Sequence, residues 1–112
     1  MEATGSVGYN SVKAALSGYV RTLGRKFAGE GLVISGVLPG AFYGPENAWM
    51  RLKHKNPEMV HEFINTQLPR KKISQAKEII PIIALLASDK GSMMAGCCVP
   101  IDAGEGRAYV NV

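Results

Sequence analysis

Leu32-Val-Ile-Ser-Gly-Val-Leu38 is a nearly continuous apolar run of strand length, and Pro39-Gly40 ends it abruptly. A run without polar alternation suits a strand buried on both faces, which is the habit of parallel sheets. On its N-terminal side, residues 9–28 place Val12, Ala15, Leu16, Tyr19, Val20, Leu23 and Phe27 at helical spacing. Arg21, Arg25 and Lys26 gather toward the end of that helix, where cations suit its dipole, and Gly29-Glu30-Gly31 supplies the stop. Gly18 and Gly24 weaken the helix interior slightly and suggest close packing against another element. Residues 1–8 are small and polar and read as a loop.

On the C-terminal side of the apolar run, residues 41–72 form a polar, irregular lobe punctuated by Pro45, Pro57 and Pro69. Two short helices are expected there, near 46–52 and 57–67; Pro57 followed by Glu58 is a sound start signal for the second. Ser74 is expected to cap a further helix over 75–88, whose apolar residues are Ile79, Ile80, Ile82, Ile83, Leu85 and Leu86. Pro81 lies inside that stretch, so a kink or a later start is expected. Asp89-Lys90-Gly91-Ser92 makes a turn, and residues 96–101 read as a second buried strand in which Pro100 argues for an edge or a bulge. The order is helix, strand, helical lobe, helix, strand. Two apolar strands joined by a long helical crossover make a right-handed parallel unit whose natural host is an open, doubly wound α/β sheet. Two strands do not complete such a sheet, so the 112 residues are expected to be part of one.

Size and charge narrow the field. A chain of 112 residues with 46% hydrophobic content suits a single packed domain, and a net charge of +4 gives no ground for a nucleic-acid or membrane-surface role. No apolar run reaches membrane-spanning length, and the first residues do not form a signal peptide. Cys97 and Cys98 are adjacent, poorly placed for a disulfide and without metal-ligand spacing; they read as small buried hydrophobes in a reducing, cytoplasmic setting. No metal site is expected.

The chemistry-bearing segment is Tyr9-Asn-Ser-Val-Lys13, at the start of the first helix. Positions four apart share a helix face, so the phenol and the ammonium are neighbours. A positive charge beside a phenol favours the phenolate, and such a tyrosine can exchange a proton with a carbonyl or alcohol oxygen.

YNSVKAAL resembles the Y-x-x-x-K catalytic segment of the short-chain dehydrogenase/reductase family. Gly31 to Phe42, GLVISGVLPGAF, resembles that family's strand and Pro-Gly turn beside the nicotinamide. Glu78-Ile79 and Leu85-Leu86-Ala-Ser88-Asp89 resemble the helix after its substrate loop, and Gly96 with Ile101-Asp102-Ala103-Gly104 resembles its closing strand and V-D-G-G ending. The matches run in family order across residues 8–104. The resemblance implies the C-terminal part of a Rossmann-like sheet, as a partial domain over 1–112: catalytic helix 9–28, strand 32–38, substrate lobe 41–72, last helix and strand 75–104. It implies Tyr9 as acid/base and Lys13 as its partner and ribose ligand. Pro39, Gly40, Ala41 and Phe42, together with Tyr9 and Lys13, are implied as contacts of an NAD or NADP cofactor. The implied activity is hydride transfer between NAD(P) and a small carbonyl or secondary alcohol, within a homodimer or homotetramer.

The departures from the family pattern are specific. Its catalytic serine would precede Met1, and Ser6 lies too close to Tyr9 to replace it. Its glycine-rich dinucleotide turn is not in the sequence. Gly44 stands where threonine is common, Ser35 where asparagine is common, and Ala103 for the first glycine of the closing pair. The chain therefore reads as a truncated member that is inactive alone, with a non-catalytic packing or oligomerisation module as the alternative. The basic clusters Arg51-Leu-Lys53-His54-Lys55 and Arg70-Lys71-Lys72 read as solvated faces, with attraction of an anionic substrate as the sharper possibility. His61 reads as a surface residue. Trp49, Met50, Phe63 and Ile64 suit either a substrate pocket or the seating of the lobe.

Overall fold

The apolar stripe of the first segment forms one helix, α1, over Val7–Ala28. This is a computed structural model, and it describes residues 7–106; Ser6, the rest of the expected loop at 1–6 and the tail from 107 lie outside the described residues. Val7 and Gly8, expected in the loop, belong to the first turn of α1. Gly8 is tolerated there because the first amides of a helix have no intrahelical acceptor to lose. The stop is made by Gly31, at φ 82°, rather than by Gly29. The Gly31 amide donates to the Ala28 carbonyl (3.1 Å) and the Leu32 amide to that of Phe27 (3.3 Å), the paired bonds of a Schellman cap.

The two apolar runs pair as parallel strands, β1 (Gly36–Pro39) and β4 (Cys98–Ile101), in the register Gly36↔Cys98 to Pro39↔Ile101. Both strands are shorter than the expected 32–38 and 96–101. Ahead of the ladder the two runs share only a pair of hydrogen bonds, Gly36 N–H to Cys97 O (2.8 Å) and Gly96 N–H to Ile34 O (2.7 Å). Leu32, Val33 and Leu38 are exposed, so burial on both faces is not achieved by the described residues. Pro100 sits on β4, whose only pairing partner among the described residues is β1; the missing amide is harmless at such an edge.

Between these strands lies the lobe. It comprises β2 (Phe42–Tyr43), α2 (Ala48–Lys55), α3 (Pro57–Gln67) and β3 (Ser74–Gln75). Asn47 and Asn56 cap the two helices, accepting the Met50 and Met59 amides at 3.0 and 3.2 Å. Ser74 is not the expected helix cap, because its backbone is committed to β3, which pairs parallel with β2. A 3₁₀ turn at Ala76–Glu78 follows, and Glu78 accepts the Gln75 amide at 2.6 Å. The last helix, α4 (Ile80–Ala87), starts late enough to put Pro81 in its first turn, the later start that the proline requires. The buried core is Ala41, Val60, Leu68 and Ile73, with Tyr43, Trp49, Leu52, Phe63 and Ile64 packed around it.

How α1 lies on the sheet decides where the site falls. A Cβ at Gly24 would strike the Gly96 backbone and lie 3.1 Å from the Ile34 carbonyl, while one at Gly36 would lie 3.8 Å from Val20. Cys98 Sγ approaches the Ser17 carbonyl at 3.9 Å. As the number falls along α1 it therefore rises along β1 and β4, so the helix runs antiparallel to both strands. Its N-terminal turns point toward the strands' C-terminal ends. Gly18, unlike Gly24, has nothing near its Cβ position; the close approach inferred from two glycines is made by one.

Candidate functional site

Tyr9 and Lys13 lie on the first turns of α1, and the Lys13 ammonium stands over the Tyr9 ring, 5.5 Å from its centroid. That is the i, i+4 juxtaposition expected of the segment, with the cation on the face of the phenol ring. Tyr9 is 56% exposed. From Val20 back to Tyr9 the helix rises roughly 16 Å, and from Gly36 to Gly40 an extended chain covers roughly 13 Å. The antiparallel run thus carries the Tyr9–Lys13 pair and the Pro39–Phe42 turn to the same edge of the sheet. In open α/β sheets that carboxyl edge is where ligands bind.

The turn itself is tightly held. Pro39 closes β1. The Gly40 amide donates to the Ile101 carbonyl at 3.0 Å, and the Ala41 amide donates to Glu105 Oε2 at 3.1 Å. The Ala41 carbonyl accepts the Ser74 amide (3.4 Å), and the Phe42 carbonyl accepts Asn47 Nδ2 (2.8 Å). A side chain at position 40 would come within 2.8 Å of Asp102 Cβ, so only glycine lets the two turns approach this closely. Of the backbone groups expected to face a ligand, the Gly40 and Ala41 amides are spent inside the protein. Glu105 and Asn47 are polar side chains of this corner that the sequence reading did not single out, and Asp102 entered it only as part of the V-D-G-G-like ending. Asn47 carried a signal, as an N-cap residue ahead of the Trp49 helix. Glu105 carried none, because its partner is sixty-four positions away.

The remaining candidates sort themselves by packing. Trp49 and Phe63 stack at a centroid distance of 4.5 Å and, with Ile64, seal the lobe core, so seating the lobe accounts for them. Met50 is half-buried. His54 is exposed at the end of α2, and His61 lies on the outer face of α3 with its Nε2 3.0 Å from Asn65 Nδ2. Arg70 is tied to Ser74 Oγ (2.7 Å) and Glu78 (3.4 Å), and Lys71 Nζ to the Asn65 carbonyl (2.6 Å); these cations brace the lobe. Lys53 covers the Tyr43 ring at 4.8 Å, and burial pushes the Tyr43 phenol up. Cys97 and Cys98 are both free thiols. Among the described residues no helix is long and apolar enough to cross a membrane.

Comparison with known proteins gives a consistent answer. A profile of the family described as enoyl-(acyl carrier protein) reductase matches residues 2–105. Levodione reductase of Leifsonia aquatica is 34% identical over 105 residues, which are 91% of this chain and 39% of that protein. The crystal structure of levodione reductase superimposes with a TM-score of 0.80 at 31% identity, covering 96% of this chain and 43% of that one. A 3-oxoacyl-(acyl-carrier-protein) reductase from Agrobacterium tumefaciens, solved with NADP bound, gives a TM-score of 0.75 at 25% identity, covering 86% and 36%. The chain thus spans about two-fifths of the length of the relatives it matches.

Proposed function

The chain belongs to the short-chain dehydrogenase/reductase family of oxidoreductases, and from that premise we propose that it supplies the acid/base half of an NAD(P)-dependent active site acting on a small carbonyl or secondary alcohol. The observation that carries this reading is the Tyr9–Lys13 pair at the carboxyl edge of the sheet, on the same edge as the Pro39–Phe42 turn. NAD(P)H, when bound, supplies the hydride to the carbonyl carbon. Tyr9 delivers the proton to the oxygen that becomes the alcohol, and takes it back in the reverse direction. Lys13 places positive charge beside the phenol and reaches the ribose hydroxyls. Pro39, Gly40, Ala41 and Phe42 form the wall at the nicotinamide end.

The residues present fit the nicotinamide end of such a cofactor and not its pyrophosphate. Gly40 lets the Pro39–Phe42 turn seat against Asp102 on the edge that also carries Tyr9 and Lys13, while the described residues contain no glycine-rich strand-to-helix turn of the kind that cradles phosphates. The activity therefore belongs to a complete sheet, and the 112 residues by themselves are inactive. The outward-facing Val12, Leu16 and Tyr19 support a subunit contact along α1 in a homodimer or homotetramer. Two free, half-buried thiols suit a reducing, cytoplasmic setting.

A second reading has one observation in its favour: so much of α1 and α4 is apolar and exposed that the chain could serve as a packing module alone. A hybrid separates the two, with residues 2–105 replacing the matched segment of levodione reductase. Reduction of a carbonyl substrate by NADH or NADPH that disappears with Tyr9→Phe is the expected result. A folded, cofactor-binding hybrid whose turnover ignores Tyr9 leaves only the packing module.

A further inference from the structure

We infer that Glu105 is a positioning residue that latches the Pro39–Phe42 turn in place; the link to a cofactor rests on the function proposed above, but the latch does not. The Ala41 amide, in a residue only 8% exposed, finds its acceptor in the Glu105 carboxylate at 3.1 Å. A buried amide without a partner is costly, and a bond to an ionised acceptor is stronger than one to a neutral carbonyl. Among the described residues no backbone carbonyl makes this bond, so the shape of the turn depends on a side chain sixty-four positions away.

That side chain is delivered by a turn that organises itself. Asp102 accepts the Gly104 amide on Oδ1 (3.0 Å) and the Gly106 amide on Oδ2 (3.1 Å), and its carbonyl accepts the Glu105 amide at 3.0 Å. The Asp102–Gly106 turn is thereby folded over the end of β4. It lies so close to Gly40 that the Cβ of any other residue there would sit 2.5 Å from Glu105 Oε2. The same Cβ would sit 2.9 Å from the Asp102 backbone, a closeness of the two turns that does not depend on the Glu105 side chain. The Gly40 amide bond to Ile101 closes the junction on the strand side. The turn after β1 is thus held from β4 by backbone and by the Glu105 side chain, and from the lobe by Ser74 and Asn47.

Hydrogen–deuterium exchange on the 112-residue chain tests the latch without any cofactor. In Glu105→Ala, exchange at the Ala41 amide should accelerate roughly tenfold or more while α3 exchanges as before. Glu105→Gln, which keeps a carbonyl acceptor, should restore most of the protection. Unchanged exchange at Ala41, equal acceleration in α3, or no rescue by Gln overturns the inference. In the levodione reductase hybrid, Glu105→Ala should raise the KM for the nicotinamide cofactor severalfold with a smaller change in kcat, again rescued by Gln. An active hybrid whose cofactor KM ignores Glu105 overturns the positioning role. A hybrid inactive with Glu105 intact counts against the proposed function, and the latch is then judged on exchange alone.

Discussion

The lobe is the well-packed region of this chain and the sheet-bearing half the open one. The lobe buries Val60, Leu68 and Ile73 to 3–6% exposure, caps both of its helices with asparagine and stacks Trp49 on Phe63. The long helix of the other half buries only Gly24, and it leaves Val12, Leu16 and Tyr19 more than half exposed. An open apolar groove of about 540 Å³ runs between β1 and α4, lined by Val33, Ile34, Val37, Ile83 and Leu86. Tyr9 and Lys13, the proposed acid/base pair, stand on the poorly covered half. Apolar surface that one region leaves to water is surface available to another polypeptide, so the lobe closes on itself and α1 does not.

The sharpest way to break this division is to remove the phenol oxygen. In the levodione reductase hybrid, Tyr9→Phe should lower turnover by about a hundred- to ten-thousandfold, or about 3–5 kcal/mol of barrier. Urea unfolding of the same protein should stay within about 0.5 kcal/mol of its parent, as for other exposed positions. Retention of more than about a tenth of the rate would remove Tyr9 from the proton transfer.

The converse experiment sits in the lobe. Leu68→Ala empties a site 5% exposed and should cost about 2–5 kcal/mol in urea unfolding, whereas Val12→Ala on the exposed face of α1 should cost about 0.5 kcal/mol or less. Equal costs would mean that α1 is covered in solution, which light scattering on the same samples would register as a larger particle mass.

Within α1 the comparison narrows to two glycines. Gly24→Ala drives a methyl into the Gly96 backbone and should destabilise by about 1–3 kcal/mol. Gly18→Ala meets open space and should stabilise by about 0.5–1 kcal/mol through helix propensity. Thermal melting of the two variants should therefore move in opposite directions.

These glycines also mark what the sequence could and could not disclose. Helical spacing located α1, continuous apolar runs located the two parallel strands, and proline punctuation located the lobe helices, because those signals are local. Whether a helical glycine faces a strand or solvent is set here by a partner seventy-two positions away, Gly96 for Gly24, and spacing is silent on it. The same holds for Ser74, whose capping propensity lost to a two-residue ladder with Phe42–Tyr43. The Tyr9–Lys13 pair was legible because a helix brings i and i+4 together. The Glu105–Ala41 bond was not, because only the folded sheet brings the ends of β1 and β4 side by side.

The turn that presents Glu105 carries a small, removable strain. Ala103 holds φ 52°, a left-handed conformation that disfavours a Cβ by about 1–2 kcal/mol. Ala103→Gly relieves it and loosens the unfolded chain, for a net gain of about 0.5–1 kcal/mol by urea unfolding. No gain would mean that the turn relaxes without the glycine.

The smallest expected effect returns to the lobe and concerns pH. Glu78 accepts the Gln75 amide and faces Arg70, and the backbone hydrogen bond first, then the guanidinium, hold its carboxyl below the ordinary glutamate value. A depressed folded-state pKa means that the unfolded chain binds the proton more readily. Its contribution is therefore present in full above the ordinary glutamate pKa and is lost as pH falls through the lowered one. Because the carboxylate is exposed, solvent and salt screen the ion pair, so added salt should erase the Arg70 share first and leave the amide bond's share. Glu78→Gln keeps an acceptor for the Gln75 amide but does not titrate. The pH dependence of unfolding below neutrality should accordingly be shallower in Glu78→Gln than in the parent, with the two curves converging at acid pH. Parallel curves across the acid range would show that Glu78 makes no such bond in solution, and that the entry to α4 is held by the β2–β3 ladder alone.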